Sequence, residues 1–294
     1  AFGLHGMAIA ALARLRGVRL PLVVSVTGLG FLAASGRVAR LAGGLVVNVL
    51  RLALDGGGTR WLTENLHDGQ RMGLKRAAAV GRVTVLTGAG VDPEAFAVRA
   101  LPARPPLKMI LVARMVRSKG VDLAVDALTL ARRAGVYATL TLVGDGDPAN
   151  PGSYDANELV AFAATPGVHL LGRRTNIADL LADHHAFILP SRGGEGLPRA
   201  LLEAAAAGRP AIVTDVPGCG DFVVDDKTGF VVAPGDVVAL ADAIGRAAKA
   251  DLAAMGLEAR AHVERSGTVG IVGSQVVATY RTLLDAEPAQ SVVT

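Results

Sequence analysis

The sequence predicts an α/β protein built from two doubly wound parts, each a parallel sheet covered by helices on both faces. Three observations carry this. The chain has 294 residues, too many for one compact core and enough for two ordinary domains. It is 51% hydrophobic but only 4% aromatic, an excess of Ala, Val, Leu and Gly that suits buried strands with small-residue helices packed on them. Short continuous apolar runs alternate along it with helical segments of ten or more residues, which is the pattern of parallel strands and crossover helices.

Composition excludes several classes. A chain this apolar with 19% charged residues buries too much surface to be disordered. One cysteine, Cys219, rules out a disulfide scaffold and suits a reducing compartment. The most apolar stretch, Leu41 to Leu54, is broken by Gly43, Gly44, Asn48 and Arg51, so no membrane span is expected. With no signal peptide pattern either, the expected location is cytoplasmic, soluble or peripheral on the inner face of the plasma membrane.

The amino-terminal elements come in order as a helix over His5–Leu15, a strand over Pro21–Val26, a helix near Val38–Leu54, and short strands at Arg60–Thr63 and Val83–Leu86. This first part, residues 1–98, reads as an incomplete Rossmann-like domain. It opens in or just before a helix where such domains open with a strand and a glycine-rich turn, so two or three opening βα units are expected to be missing. Residues 99–106 (RALPARPP) read as a linker, because three prolines in eight residues suit neither a helix nor a central strand. A second Rossmann-like domain, 107–267, follows with strands at Lys108–Ala113, Ala138–Val143, Val168–Leu171, Ala186–Leu189, Ala211–Thr214 and Phe230–Val232, and a helix near Val121–Ala134. The remaining 268–294 form a helix near Thr268–Leu284, long enough to cross back to the first domain, and a tail.

Charge is unevenly placed. Residues 1–100 hold 12 Lys and Arg against 5 Asp and Glu, and residues 101–294 hold 18 against 21. A basic first part suggests an anionic surface as its partner. Nucleic acid fits poorly, because aromatic stacking residues are scarce and there is no basic run. Arg14, Arg16, Arg19, Arg37, Arg40 and Arg51 lie within or beside apolar segments, as in helices resting on anionic lipid. Scattered solvated arginines are the alternative.

The chemistry concentrates in Leu189–Pro210, LPSRGGEGLPRALLEAAAAGRP. A strand ends at Pro190, a glycine-rich turn follows, and a helix starts at Pro198 and stops at Gly208. Free backbone N–H groups and a positive dipole end are thereby placed at the carboxyl edge of a parallel sheet, where an anion is favoured. Glu203 sits on a helix that is otherwise almost wholly apolar. A salt bridge to Arg199 is one reading of it. A ligand hydroxyl is favoured, because a carboxylate on so apolar a helix needs a polar partner. The cations Arg114, Arg117 and Lys119, with Gly120, follow the first strand of the same domain, over the ligand crevice of such a sheet. Together these features suit a sugar nucleotide held by its diphosphate, ribose and sugar.

At these residues the sequence resembles a known family. ARMVRSKG (Ala113–Gly120) is similar to the Gly-Arg-x-x-x-x-Lys-Gly signature of retaining family 4 glycosyltransferases of the GT-B fold, two Rossmann-like domains facing a cleft. EGLPRALLE (Glu195–Glu203) matches their E-x7-E motif. Val26–Gly30, Thr87–Asp92 and Asp215–Asp221 resemble segments of bacterial transferases that make capsule, O-antigen or lipid-linked glycans.

The resemblance implies roles. Arg114 and Lys119 would bind the donor diphosphate and Glu195 the donor sugar, these three forming the catalytic group. Glu203 would hold the ribose. Backbone around Gly194, Gly196, Leu197 and Pro198 would cap the phosphate, with Gly120, Gly144 and Arg173 completing the donor site. His5 and Thr27 are the acceptor-side candidates; Thr27 stands where many members carry an active-site His. Ala113 replaces the usual Gly, and Gly220-Asp221 stands where relatives often have Arg-Glu.

The expected reaction is transfer of a hexosyl or N-acetylhexosaminyl unit from a UDP-sugar to a lipid-linked glycan, with no cofactor and no metal. Asp145-Gly-Asp147 has the look of a metal-binding pair but reads better as turn chemistry. The glycine groups complete no dinucleotide or ATP fingerprint, the six histidines lack metal spacing, and no nucleophile elbow occurs. Two alternatives stay open: a nucleotide-sugar-binding protein without catalysis, and a nucleotide-sugar epimerase of the same fold.

Overall fold

The computed structural model describes residues 1–27, 37–193 and 196–285, with 37–42 described as backbone only. The chain divides into two compact units. The first contains Ala1–Gly90, Gly194–Leu197 and Val269–Thr294, and the second Val91–Gly193 and Pro198–Thr268.

In the first unit, α1 (Gly3–Leu15), β1 (Leu22–Val26), α2 (Arg37–Leu54), β2 (Thr59–Thr63), α3 (Leu66–Arg71), α4 (Lys75–Ala79) and β3 (Val83–Val85) follow one another. The three strands form a parallel sheet in the order β1-β2-β3, with Val24 opposite Trp61 and Leu62 opposite Thr84. Phe2 adds an isolated parallel bridge to Ser25 ahead of α1, which the sequence reading did not foresee. Because side chains alternate along a strand, the sheet feeds two cores. Val24, Val26 and Trp61 face Met7 and Ala11 of α1 and Val47 and Leu54 of α2. Val23 and Leu62 face Val272 and Leu283 of α11 (Val269–Asp285), so that helix covers the opposite face of this sheet.

The second unit holds β4 (Leu107–Val112), α5 (Val121–Arg133), β5 (Ala138–Val143), α6 (Ala156–Ala163), β6 (Val168–Gly172), α7 (Ile177–Ala182), β7 (Ala186–Leu189), α8 (Arg199–Ala206), β8 (Ala211–Thr214), β9 (Gly229–Val232), α9 (Val237–Lys249) and α10 (Leu252–Ser266). Its six strands are all parallel, in the order β6-β5-β4-β7-β8-β9. The chain winds outward from β4 in one direction and from β7 in the other, so the switch point of the sheet lies between these two strands. A parallel sheet binds ligands outside the carboxyl ends of the strands at that point.

Helix starts follow capping chemistry. Asp155 and Glu158 form a reciprocal capping box at α6, with both bonds at 2.9 Å, while Asp236 and Asp251 cap α9 and α10. Pro198 is the residue before α8 rather than its first helical position, with extended backbone at ψ 125°. A 3-10 turn over Arg117–Lys119 is also new relative to the sequence reading. The segment 99–106 lies in the second unit and is anchored there. The Arg104 guanidinium donates to the carbonyls of Ala247, Ala248 and Ala250 at the end of α9, where the helix dipole favours a cation. The buried Arg209 donates to the carbonyls of Arg99, Leu181 and Ala182, and burial pulls its pKa below the usual guanidinium value.

His184 and His185 are structural. His184 Nδ1 lies 2.6 Å from the Leu180 carbonyl and must carry the proton, while Nε2 lies 2.7 Å from the Thr141 hydroxyl. His185 Nδ1 accepts from the Lys108 N–H at 2.9 Å, and its Nε2–H donates to the Pro102 carbonyl. Burial lowers the pKa of both, and of His262.

Two predictions follow from these contacts. Gly120 has φ +67°, and a Cβ there would strike the carbonyl of Pro190. Gly120→Ala is expected to lower stability by about 2 kcal/mol or more, read as a shift of the urea midpoint, since the left-handed backbone alone costs roughly 1–2 kcal/mol. For the histidines, a folded pKa below the unfolded value of about 6.5 makes the unfolded chain the better proton acceptor as pH falls. Their stabilisation is complete above that value and is lost as pH drops through it. The melting temperature should fall between pH 7 and pH 5.5, and fall less in His185→Gln. This comparison separates the histidine from carboxylates titrating in the same range; identical pH profiles for the two proteins would reject it.

Candidate functional site

At the switch point, two loops meet over the carboxyl edge of the second sheet. The loop 113–120 leaves β4, and residues 190–193 leave β7. They are joined by backbone and side-chain hydrogen bonds: Arg192 N–H and the Ser191 hydroxyl both donate to the Ser118 carbonyl, at 2.8 and 3.0 Å. The Thr214 hydroxyl, at the end of β8, donates to the Ser191 carbonyl at 2.5 Å. Gly120 allows the crossing, because its missing Cβ leaves room for the Pro190 carbonyl. On the other side, Gly144 at φ +138° leaves room for the Ala113 carbonyl, and Met115 N–H donates to the Asp145 carbonyl.

A side-chain network reinforces this seam. Arg192 grips Asp122 with two bonds of 2.7 Å and donates to the Arg117 carbonyl. The Tyr154 hydroxyl donates to Asp122 at 2.7 Å. Burial and the adjacent Asp122 carboxylate push the Tyr154 hydroxyl up to about 12. For Asp122, burial is the largest single influence and acts upward, but the hydrogen bonds from Arg192 and Tyr154 outweigh it and its pKa is lowered. Arg117 lies over the Tyr154 ring at 4.9 Å and pairs with Glu158 at 2.7 Å, so this cation is used structurally. Sequence reasoning missed Asp122, Tyr154, Ser191 and Thr214. Only Arg192, inside the glycine-rich turn, gave a signal that could have been followed.

The cations and carboxylates expected here are found at this edge. Arg114 is exposed and pairs with Asp147 at 2.6 Å. Lys119 is half-buried at the end of the 3-10 turn, directly before Gly120. The Arg173 side chain is exposed, and its N–H donates to Asp145 Oδ1 at 3.1 Å. Asp145 and Asp147 are therefore engaged by a backbone amide and a guanidinium. Among the described residues no cluster of His, Cys, Asp or Glu has the arrangement of a metal site.

Glu203 lies on α8 at 9% exposure, among the buried residues Leu201, Leu202, Ala204 and Ala205. Its carboxylate accepts from Arg199 Nε at 2.8 Å. The salt bridge that the sequence reading ranked second is thus formed, because one helical turn brings the flexible arginine back over the carboxylate. Burial raises the Glu203 pKa, with Arg199 acting against it.

Gly194 and Glu195 lie outside the described residues. Gly196 and Leu197 group with the first unit, where Leu197 N–H donates to the Glu64 carboxylate at 3.0 Å. A Cβ on Gly196 would strike that same carboxylate. A backbone N–H expected to meet phosphate thus already holds an anionic oxygen, from a residue the sequence reading did not single out. His5 is exposed on α1, and Thr27 is exposed just beyond β1, its hydroxyl 3.9 Å from where a Cβ on Gly3 would stand. The acceptor-side candidates therefore lie at neighbouring element ends of the first unit.

Residues 106–250 match the family model described as glycosyl transferases group 1. The chain is 30% identical over 192 residues to the amylovoran biosynthesis glycosyltransferase AmsK of Erwinia amylovora, covering 61% of this chain and 46% of that protein. It is 30% identical over 227 residues to the putative colanic acid biosynthesis glycosyltransferase WcaL of Escherichia coli, covering 73% and 53%. The chain thus spans about half the length of the curated relatives it matches. The crystal structure of Anabaena HepE in complex with UDP superposes with a TM-score of 0.75 at 18% identity, over 96% of this chain and 78% of that one. The fold is therefore that of the GT-B glycosyltransferases, and residues 106–250 carry a glycosyl transferases group 1 domain.

Proposed function

We propose that the protein is a retaining glycosyltransferase that moves a hexosyl or N-acetylhexosaminyl unit from a UDP-sugar to a lipid-linked glycan in bacterial surface polysaccharide synthesis. The observation that carries the donor half is the seam at the switch point. It sets Arg114 and Lys119 on the β4 loop at the same sheet edge as the start of α8 and the buried Glu203.

In this reading the two cations offset the charge that develops on the departing nucleoside diphosphate. Glu203 exchanges part of its bond with Arg199 for the ribose hydroxyls, and Glu195 meets the donor sugar. The Arg173 backbone faces the base. The bond from the anomeric carbon to the phosphate oxygen breaks, a bond to the acceptor oxygen forms on the same face, and the acceptor hydroxyl proton passes to the departing phosphate. No metal is needed in this scheme, since the positive charge comes from side chains and both carboxylates of Asp145-Gly-Asp147 already have partners.

Three further observations support the reading. HepE, which shares the fold, is solved with UDP. AmsK and WcaL are named for polysaccharide biosynthesis. The Leu197 N–H donates to the Glu64 carboxylate, which is consistent with an anionic oxygen being accommodated there. A lipid-linked acceptor is proposed to be met at the cytoplasmic membrane surface; among the described residues no helix is long and apolar enough to cross a membrane.

Calorimetry with UDP tests the donor site. The protein should bind, and Lys119→Ala with Glu203→Ala should bind at least about a hundredfold more weakly, at roughly 1.5–3 kcal/mol for each bond to a charged group. Equal affinity would reject the assignment. Incubation with UDP-sugar alone distinguishes the epimerase alternative, which requires an epimerised nucleotide sugar to appear without any acceptor.

A further inference from the structure

Among the described residues, α1 and α2 expose apolar outer faces. Ile9, Leu12 and Leu15 on α1 and Leu45, Val49 and Leu52 on α2 are between 55% and 78% exposed. These side chains recur at helical spacing on each helix, opposite the residues Met7, Ala11, Val47 and Leu54 that enter the shared core. Isolated surface leucines are ordinary, but two adjoining helices that each expose an apolar stripe are not.

The charge around this face has one sign. From Ala1 to Leu54 the sequence contains six arginines and not one Asp or Glu; the first acidic residue is Asp55. Arg14 turns inward to the Thr59 hydroxyl at 3.0 Å, and Arg51 holds Asn48. Arg16 and Arg19, in the turn that ends α1, are exposed. Leu20, beside Arg19, is exposed as well.

We propose that this α1–α2 face docks on an anionic phospholipid surface, with the leucines entering the acyl boundary and Arg16 and Arg19 at the level of the phosphates. Charge complementarity selects this occupant. A second copy of the chain would bring the same excess of arginines against its own, whereas a lipid surface with negative headgroups satisfies both the apolar stripe and its cationic border. The surface deepens the reading of a lipid-linked acceptor and takes its purpose from it. The measurement below needs no nucleotide, so either idea can fail alone.

Co-sedimentation with vesicles of phosphatidylglycerol and phosphatidylcholine in equal parts, against phosphatidylcholine alone, tests the proposal. The protein is expected to partition at least tenfold more strongly onto the anionic vesicles, less so as salt rises. The double substitution Arg16→Glu, Arg19→Glu should reduce that partitioning by about tenfold or more. Leu12→Gln with Leu45→Gln should reduce it on its own while UDP affinity and the circular dichroism spectrum stay unchanged. Equal partitioning onto both vesicle types, or undiminished binding by either double variant, would overturn the proposal. So would a concentration-dependent dimer that Leu12→Gln with Leu45→Gln abolishes, since that would assign the face to a second copy.

Discussion

Gly120 passes against the carbonyl of Pro190 at the switch point of the second sheet, and this close approach of two backbones fixes the edge on which the proposed donor site is built. β4 and β7 are adjacent in the sheet, and the loops that leave them are tied together across 73 residues of chain, the Ser191 hydroxyl donating to the Ser118 carbonyl. With the crossing made, Lys119 and Arg114 cannot wander from the edge at which α8 begins. The network of Asp122, Tyr154 and Arg192 repeats the restraint with side chains, and the charges it uses compensate one another locally. Rigid support of this kind is what allows exposed cations to act on a ligand at low reorganisation cost.

In the proposed donor site, the buried carboxylate of Glu203 is paired with the exposed guanidinium of Arg199. Burial makes the charged carboxylate costly, so it takes the partner within reach on its own helix. The Leu197 amide does the same with Glu64 in the first unit. Both polar groups are satisfied, and both partners are side chains that a ligand of higher charge or better geometry can displace.

Much of the fold was legible in the sequence because its strands are buried on both faces. A strand such as Ala186–Leu189 is then a continuous apolar run, and every strand of the second sheet was located to within a residue or so. The short helices Leu66–Arg71 and Lys75–Ala79 were not singled out, since five or six residues leave no helical period to detect. Nor was the bridge from Phe2 to Ser25, which exists only through pairing. The site was half legible. Arg114, Lys119 and Glu203 stood out by type and spacing, whereas Asp122 and Tyr154 were not singled out, because their partners arrive only with the tertiary fold.

By itself the sequence determined the alternation of strands and helices, the position of the glycine-rich turn before α8, the placing of an acid on an apolar helix, and the excess of arginine in the first hundred residues. These are properties of local order, and neighbouring residues are enough to set them. Only the tertiary structure decided that Arg117 serves the Tyr154 ring and Glu158, that Asp145 and Asp147 are taken by a backbone amide and a guanidinium, and that the leucines of α1 and α2 face outward. Those outcomes depend on which distant segments arrive at the same edge of a sheet, and hydrogen-bond partners and burial are settled only when they do.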